Sequence, residues 1–315
     1  MRENADACNK MLMGGGKITI FTPTYNRAYT LERLYKSLCF QTIRCFEWLI
    51  IDDGSSDNTE QIVQRFIAEE KLHIRYLKQR NGGKHRAINK AAMLARGEWF
   101  FIVDSDDYLP NDSLEQVSVY ISQIADNEDF VGVAALRCYP NGNIVGGTVH
   151  FDVLDTDCVN IRTHYHVKGD IAEVWRTSVL KQYPFPEFDG EKFMSEGIVW
   201  SAIAYKHKLR YFNHKIYICD YLQDGLTQNV RSCHRKSPQG SMLLYATLAR
   251  DKRYSIKWRI AFAINYWRYT IGFNGKRCVQ IPTWGFLFYP LGLLFYKKDL
   301  KNERYKQGKQ NAGKM

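Results

Sequence analysis

A short acidic stretch could hold a divalent cation. The apolar run from Trp99 to Val103 is followed by Asp104, Asp106 and Asp107 within four residues. Carboxylates this close repel one another when they are buried, and a divalent cation neutralises them. Their oxygens suit Mn²⁺ or Mg²⁺, and Mg²⁺ often takes one or two protein carboxylates together with substrate phosphates. The stretch therefore predicts a cation site, although an acidic turn that caps a helix has the same composition.

Four short apolar runs in the first part of the chain each end in a polar segment, and segments of helical spacing separate them. Such runs predict buried strands, and strands that alternate with helices predict a parallel, doubly wound α/β sheet. The predicted strands are 17–22, 46–51, 72–77 and 99–103, and the loops after them are 23–27, 52–57, 80–84 and 104–107. Ligands of such sheets bind outside the carboxyl ends of the strands, so these four loops should line one crevice.

The composition indicates a globular chain with anionic partners. Its 315 residues are 45% hydrophobic and carry a net charge of +11, which suits nucleic acid, a sugar nucleotide or an anionic membrane surface. No nucleic-acid recognition motif is present, which disfavours the first. The 8 cysteines include no CxxC pair, which disfavours structural zinc and favours free thiols in a reducing compartment. Neither a signal peptide nor a spanning run of roughly 20 apolar residues is evident, so we expect a cytoplasmic protein.

Six short motifs follow one another along the first part of the chain. They are Pro23–Arg27, Gln41–Thr42, Asp52–Asp57, Asn81–Lys84 with Ala87 and Asn89, Gly97–Glu98, and Asp104–Asp107. In this order they resemble the family 2 glycosyltransferases of the GT-A fold, over residues 17 to about 222. The resemblance implies a doubly wound, mostly parallel, Rossmann-like sheet with a helical C-terminal extension. It also implies metal-dependent transfer of a sugar from a nucleotide-diphosphate donor to an acceptor hydroxyl, usually with inversion.

The resemblance also implies roles for individual residues of these motifs. Asp106 is the implied ligand of Mn²⁺ or Mg²⁺, with Asp104 near the ribose or the metal and Asp107 in support. The implied nucleotide-sugar contacts are Pro23 and Tyr25 at the walls of the base pocket, Asp53 at the base edge, Lys84 at the phosphates, and Asp104 with Ser105. Other interpretations stay open, because Asp53 could cap a turn, Lys84 could be a solvated charge and Tyr25 could be a core aromatic.

An inverting transferase needs a carboxylate that takes the proton of the acceptor hydroxyl. By resemblance, Glu196 occupies the position of the family's catalytic Asp, and Ser195 stands where a Glu usually precedes it. This departs from the family pattern, since Glu is one methylene longer. Glu187, Asp189 and Glu191 lie just upstream and compete for the role, and Glu196 could instead be an acid that favours a helix N-terminus.

Two further groups of residues match the acceptor side and a closing loop of the family. The segment Gly169–Arg176 matches the acceptor-side strand, which suggests that Asp170 and Glu173 contact the acceptor. Residues 221–227, followed by His234 and Arg235, resemble a loop that closes over the donor. A structural turn is an equally good interpretation of Asp170. His234 could complete the metal shell, although a His in a basic loop is more often solvated.

Composition and motifs together predict three regions. Residues 1–16 should be disordered, 17–235 should form the catalytic domain with a nucleotide-binding half (17–110) and an acceptor half (111–235), and 236–315 should be helical. Basic and aromatic residues alternate in this last region, as in helices that lie on anionic bilayers. We therefore expect peripheral membrane contact through 256–300, unless these aromatics pack on the catalytic domain or in a dimer.

These features predict a metal-dependent, inverting glycosyltransferase. Its donor would be a nucleotide sugar, with UDP as the expected nucleotide, and its acceptor a saccharide or lipid-linked saccharide in bacterial surface polysaccharide assembly. A dehydrogenase is disfavoured because Pro23-Thr24-Tyr25-Asn26 stands where GxGxxG would follow the first strand. The alternative is a catalytically inactive scaffold with the same fold that binds glycan or membrane.

Overall fold

The structure of the chain is a computed structural model that describes residues 17–220 and 226–312, with side chains described for 17–220 and 229–302. The segment 1–16, which we expect to be disordered, lies outside the described residues. Most of the predicted closing loop, residues 221–225, lies outside them as well.

The first half of the chain alternates strands and helices as its apolar pattern predicts. Its elements are β1 (Ile18–Thr24), α1 (Ala28–Cys39), β2 (Phe46–Asp52), α2 (Thr59–Ala68), β3 (Ile74–Lys78), α3 (Lys84–Leu94) and β4 (Trp99–Ile102). β1 pairs in parallel with β2 on one side and with β4 on the other, and β2 pairs in parallel with β3. The carboxyl ends of four strands therefore lie at one edge of the sheet, as predicted.

The sheet continues through strands from later in the chain. The following elements are α4 (Ser113–Ser122), β5 (Phe130–Cys138), β6 (Val153–Thr156), α5 (Asn160–Thr163), β7 (Ile171–Arg176), α6 (Thr177–Gln182), α7 (Gly197–Ile203) and β8 (Lys208–Ile218). The eight strands lie in the order β3-β2-β1-β4-β7-β5-β8-β6. β7 runs antiparallel to β4 and β5, and β6 runs antiparallel to β8. The fold is thus the mostly parallel α/β sheet expected from the sequence.

Glu47 is a carboxylate in the interior of this sheet, at a position that the hydrophobic pattern would assign to an apolar residue. Glu47 lies in β2 with no exposed surface and accepts hydrogen bonds from Thr19 Oγ1 (2.6 Å), from Arg75 Nη1 (3.0 Å) and from the Arg96 backbone N–H (2.7 Å). Burial alone would raise the pKa of Glu47, but these donors outweigh it and hold the pKa below its ordinary value. The charged group therefore links β1 and β3 through β2 and stabilises the sheet.

We expect Glu47→Ala to lower the free energy of unfolding by about 3 kcal/mol, because it leaves buried donors without an acceptor. Chemical denaturation measures this loss. Glu60→Ala is the matched control, since Glu60 forms an exposed ion pair with Lys78 (3.1 Å) and should cost less than about 1 kcal/mol. Equal losses in the two variants would contradict the structural role of Glu47.

The described residues fall into two compact units. The first contains the described residues up to Phe185 and those of Val199–Gln228, and the second contains Pro186–Ile198 and those from Asn229 onward. These contacts divide the chain at 228/229 and assign the segment 186–198 to the second unit. The predicted domain boundary at 235/236 stays a prediction.

The second unit is mainly helical, as predicted for the C-terminal region. Its helical elements are α8 (Leu226–Lys236), α9 (Pro238–Arg250), α10 (Ile256–Thr270), a 3₁₀ helix (Thr283–Phe288) and α11 (Tyr289–Ala312). Tyr266 and Trp267 of α10 are buried, and they donate hydrogen bonds to the carbonyls of Val279 and Gly285, each at 2.9 Å. This part of the predicted membrane surface therefore packs into the core of its own unit. None of the described helices combines the length and the apolar character that crossing a bilayer requires.

The cysteines within the described residues follow the sequence prediction with one exception. Cys39, Cys138, Cys158, Cys219, Cys233 and Cys278 are free thiols. Cys45 is disulfide-bonded, so the expectation of free thiols is wrong for this residue.

Candidate functional site

Asp53 organises the glycine loop in front of α3. Its Oδ1 accepts hydrogen bonds from Gln79 Nε2 (2.8 Å) and from the Gly82 backbone N–H (2.9 Å), and its Oδ2 accepts one from the Gly83 N–H (2.7 Å). Gly83 has φ of 98°, which glycine adopts without strain, and Lys84 begins the helix directly after it. Asp53 therefore fixes the position at which α3 begins, and with it the position of Lys84. Its implied contact with a nucleotide base remains a prediction.

The loop after β1 is tied to the loop after β2. Asn26 has φ of 52°, and its Oδ1 accepts a hydrogen bond from the Ser56 backbone N–H at 2.8 Å. The Asn26 N–H donates in turn to Ser55 Oγ at 2.8 Å. These bonds hold in place the segment that contains Pro23, which is half-buried, and Tyr25, whose side chain is 49% exposed. The Tyr25 ring is thus accessible to a ligand and is not part of the core.

Asp104 forms an ion pair with Lys84 across two neighbouring loops. The distance from Lys84 Nζ to Asp104 Oδ1 is 2.6 Å, and both side chains are about a quarter exposed, at 24% and 27%. Burial would raise the pKa of Asp104, but the positive charges of Lys84 and Arg137 hold the pKa below its usual value. The structure therefore brings together two residues that the sequence assigned to the nucleotide sugar from separate motifs.

Asp106 lies in the same loop and has a different electrostatic environment. Burial and the neighbouring charge of Asp104 raise the pKa of Asp106 above its ordinary value. The backbone carbonyl of Asp106, rather than its carboxylate, accepts a hydrogen bond from Arg33 Nη2 at 2.6 Å. Its carboxylate is thus held beside a second carboxylate in a half-buried position, where a cation would relieve the repulsion.

Asp107 anchors the acidic loop 104–107 through its buried side chain. Its Oδ2 accepts a hydrogen bond from Tyr217 Oη (2.8 Å), and its Oδ1 accepts one from the Asp220 backbone N–H (3.0 Å). Burial and the charges of Asp104 and Asp106 raise the pKa of Asp107 to about 7. Its neighbour Ser105 is also buried. These contacts suit the supporting role predicted for Asp107 better than direct coordination of a metal.

The residues present fit a cation whose coordination shell is completed by a bound substrate. Among the described side chains, no group of three or more His, Cys, Asp or Glu residues could hold a metal ion. Asp106 and Asp104 instead offer the one or two carboxylates with which Mg²⁺ commonly combines substrate phosphates. Burial and the charge of Asp104 raise the pKa of Asp106, and a cation bound here would offset that repulsion.

Three residues of this site carry no motif and were missed by the sequence analysis. Arg33 forms an ion pair with Asp220 (2.8 Å). The guanidinium of Arg137 lies 4.2 Å from the ring centroid of Tyr217, and its Nε donates to the Ile171 carbonyl at 3.0 Å. Tyr217 Oη in turn accepts a hydrogen bond from the Asp104 backbone N–H at 2.9 Å. An arginine directly after the apolar run 130–136 was the only signal for Arg137 in the sequence.

The predicted acceptor residues lie near Arg137. Asp170 is exposed in the turn before β7, and Glu173 is half-buried within β7. Burial would lower the pKa of Arg137, but its interaction with Tyr217 and the negative charges of Glu173, Asp104 and Asp170 raise the pKa above the ordinary value of arginine. The two carboxylates therefore share one electrostatic environment with Asp104. Their contact with an acceptor remains a prediction.

Three other motif residues stabilise the scaffold. Gln41 donates to the Pro110 carbonyl (2.7 Å) and accepts from the Leu114 N–H (3.1 Å), which ties α1 to the segment after the acidic loop. Asn89 exchanges two hydrogen bonds with the Phe185 backbone, at 2.9 and 2.8 Å. A Cβ on Gly97 would lie 2.4 Å from the Thr19 backbone nitrogen, so only glycine fits there.

The candidate base lies in the segment 186–198, which belongs to the second unit. Glu196 is half-buried directly before α7. Its competitor Glu191 is buried and accepts hydrogen bonds from the backbone N–H groups of Gln239 (2.7 Å) and Gly240 (2.9 Å) in the first turn of α9. Glu191 is therefore a structural cap. Glu187 and Asp189 are exposed, and the role of Glu196 stays a prediction.

His234 and Arg235, which the sequence placed in a closing loop, lie in α8. The His234 ring is buried, with Nδ1 at 2.9 Å from Ser241 Oγ and Nε2 at 3.3 Å from Tyr245 Oη. Burial lowers the pKa of His234 to about 4. Arg235 forms an ion pair with Asp299 at 3.1 Å. These packing contacts within the second unit give no support to the predicted loop role.

Comparison with known proteins places these loops in a family. Residues 19–148 match the family model described as glycosyl transferase family 2. The chain is 33% identical over 176 residues to poly(ribitol-phosphate) beta-N-acetylglucosaminyltransferase TarS of Staphylococcus aureus, which covers 54% of this chain and 30% of TarS. It is 26% identical over 216 residues to glycosyltransferase GlyG of Streptococcus pneumoniae, covering 64% of this chain and 69% of that one. The chain thus spans less than a third of the length of the first of these relatives.

Solved structures share the fold at low sequence identity. TarS residues 1–349 in complex with UDP-GlcNAc superpose with a TM-score of 0.54 and 19% identity, covering 93% of this chain and 92% of that one. A mannosyltransferase of Pyrobaculum calidifontis, in complex with GDP-Man and Mn²⁺, gives a TM-score of 0.53 and 17% identity over 92% of this chain and 79% of that one. Residues 19–148 therefore resemble glycosyl transferase family 2, and the chain has a GT-A-like fold.

Proposed function

We propose that this chain transfers a sugar from a nucleotide-diphosphate sugar to a saccharide hydroxyl. The observation that carries the proposal is the position of Asp53, Lys84, Asp104 and Asp106 after the carboxyl ends of adjacent parallel strands. Asp53 orders the loop that starts α3, and α3 presents Lys84 to Asp104 at 2.6 Å. The ammonium group of Lys84 suits the negative charge of a diphosphate donor, and the adjacent carboxylates suit a metal that binds with it.

The roles of the chain's own residues follow from their surroundings. Lys84 would offset phosphate charge, and the accessible ring of Tyr25 would lie against the base. Asp106, with Asp104, would hold Mn²⁺ or Mg²⁺. A bound divalent cation supplies stabilisation of the negative charge that grows on the diphosphate as the glycosidic bond breaks. Tyr217 and Arg33 would keep the acidic loop in position, because they bond to its backbone.

We further propose UDP as the nucleotide and inversion as the stereochemical course. TarS, the relative at 33% identity, is named as a beta-N-acetylglucosaminyltransferase and has been solved with UDP-GlcNAc. The neighbour solved with GDP-Man makes the guanine nucleotide the competing hypothesis. The proposed base is Glu196, which would take the proton of the attacking hydroxyl. We propose assembly of a bacterial surface polysaccharide as the setting.

A thermal-shift panel tests the donor. We expect UDP and a UDP-sugar with Mn²⁺ to raise the melting temperature by roughly 5 °C at about a hundred times Kd, because a ligand bound only by the native state stabilises it. GDP and GDP-mannose under the same conditions are the controls. Stabilisation by the guanine compounds alone would reassign the base. If UDP compounds bind but no UDP is released from any sugar tested, the inactive scaffold is the better description.

A further inference from the structure

The outer face of α11 carries a stripe of apolar residues that the described side chains leave exposed to solvent. Leu291 and Leu294 of α11 are 43% and 61% exposed, and Leu287, in the 3₁₀ helix directly before it, is 78% exposed. Phe286 and Phe295, at 49% and 37%, extend the same surface. Exposed apolar side chains that cluster in this way mark an interaction surface.

The opposite face of α11 packs against its own unit. Gly292 and Asp299 are buried, and a Cβ on Gly292 would lie 2.2 Å from Trp267 Cβ. Asp299 forms an ion pair with Arg268 at 2.6 Å. Because Gly292, Tyr296 and Asp299 recur at helical spacing on this inner side, Leu291 and Leu294 lie away from it. The packing of α11 against its own unit therefore determines that the apolar stripe faces outward.

The charges around the stripe have one sign. Lys297, Lys298 and Lys301 are exposed and follow the apolar residues along the same helix. In the described part of this helix, up to residue 302, the one acidic residue is Asp299, and its carboxylate is turned inward to Arg268. The exposed surface of this part of α11 is thus apolar in its first turns and basic in the following ones.

We propose that this face of α11, with Leu287, Leu291, Leu294 and the three lysines, docks on the surface of an anionic lipid bilayer. Apolar side chains enter the boundary between headgroups and acyl chains, and lysines beside them contact anionic headgroups. In the described part of α11 the charged side chains that face outward are lysines, whereas the surface that contacts an ordinary protein partner carries both signs of charge. The sequence pointed to the whole of 256–300. Burial removes Tyr266 and Trp267 from such a surface, and the proposal rests on the exposed residues from Phe286 to Lys301.

Vesicle co-sedimentation tests the proposal on the full chain. We expect binding to phosphatidylcholine vesicles that contain about a quarter phosphatidylglycerol, and weaker binding to phosphatidylcholine alone. Leu291→Glu with Leu294→Glu should weaken binding at least about tenfold, since two apolar contacts become charges that the anionic surface repels. Lys297→Gln with Lys298→Gln and Lys301→Gln should remove the preference for the anionic vesicles.

Met93→Glu with Val119→Glu is the matched control, because it places the same two charges on exposed positions of the first unit (67% and 48%) and should bind as the wild type does. All variants should keep the wild-type melting temperature and the wild-type UDP-sugar hydrolysis in vesicle-free buffer, so failure of the docking surface is distinguishable from failure of the proposed enzyme function. No vesicle binding by the wild type, or equal binding by the Leu291/Leu294 variant, would overturn the proposal. A wild-type dimer that this variant dissociates, without vesicle binding, would instead assign the face to a second copy.

Discussion

Asp106→Asn should reduce Mn²⁺-dependent release of UDP from a UDP-sugar by about a hundredfold or more. The substitution removes the charge that we assign to the cation, and electrostatic stabilisation of a leaving group commonly accounts for losses of this size. The Asp106 contact that holds the loop is its backbone carbonyl, which receives Arg33 Nη2. The variant should therefore fold normally and lose the additional thermal stabilisation that Mn²⁺ gives with UDP.

Asp155→Asn is the control for this experiment, because it makes the same chemical change at an exposed ion pair with Arg210 (2.7 Å) on β6. It should keep its activity and its response to Mn²⁺. An Asp106→Asn enzyme with undiminished Mn²⁺-dependent turnover would rule out this carboxylate as the metal ligand. Asp107→Asn does not serve as a control, since Asp107 accepts hydrogen bonds from Tyr217 and Asp220.

Glu196→Gln should lower turnover by roughly a hundredfold or more while leaving donor binding intact. A general base contributes about 10² to 10⁴ to the rate, and the amide cannot accept the proton of an attacking hydroxyl or water. Release of UDP from the UDP-sugar that stabilises the protein most, with water as the acceptor, measures the loss. Stabilisation by UDP and Mn²⁺ should match the wild type, which distinguishes this variant from Asp106→Asn.

Two neighbours of Glu196 provide controls with different expected outcomes. Glu187→Gln changes an exposed carboxylate in the same segment and should leave turnover within a few-fold of the wild type. Glu191→Gln should instead lower stability by about 1–3 kcal/mol, because Glu191 holds the backbone N–H groups of Gln239 and Gly240. If Glu187→Gln loses turnover and Glu196→Gln does not, the base has been assigned to the wrong residue.

The local sequence determined the first four strands of this protein and the loops that follow them. Parallel strands buried on both faces are continuous apolar runs, and their carboxyl ends lie together whatever the later chain does. The parallel pairing of β1 to β4 could therefore be predicted from the apolar pattern, and the loops with Asp53, Lys84 and Asp104 from short motifs. The pattern also distinguished α/β from other classes, because strands and helices alternate at the expected lengths.

Contacts between distant residues were decided by the tertiary structure alone. Tyr217 reaches Asp107 across 110 positions, and Glu191 caps a helix 48 residues later, so neither role leaves a local signal. Glu47 occupies a strand position that hydrophobic pattern assigns to an apolar residue, and its three donors come from other elements.

The C-terminal region illustrates the same limit for a surface. Tyr266 and Trp267 of α10 and Leu291 and Leu294 of α11 are similarly apolar in sequence, yet the first pair is buried and the second is exposed. Periodicity shows that a helix has a side to bury, but which neighbour covers that side depends on how the helices pack. Sequence thus determined that this region is helical, basic and aromatic, and packing determined which of its residues remain available to a partner.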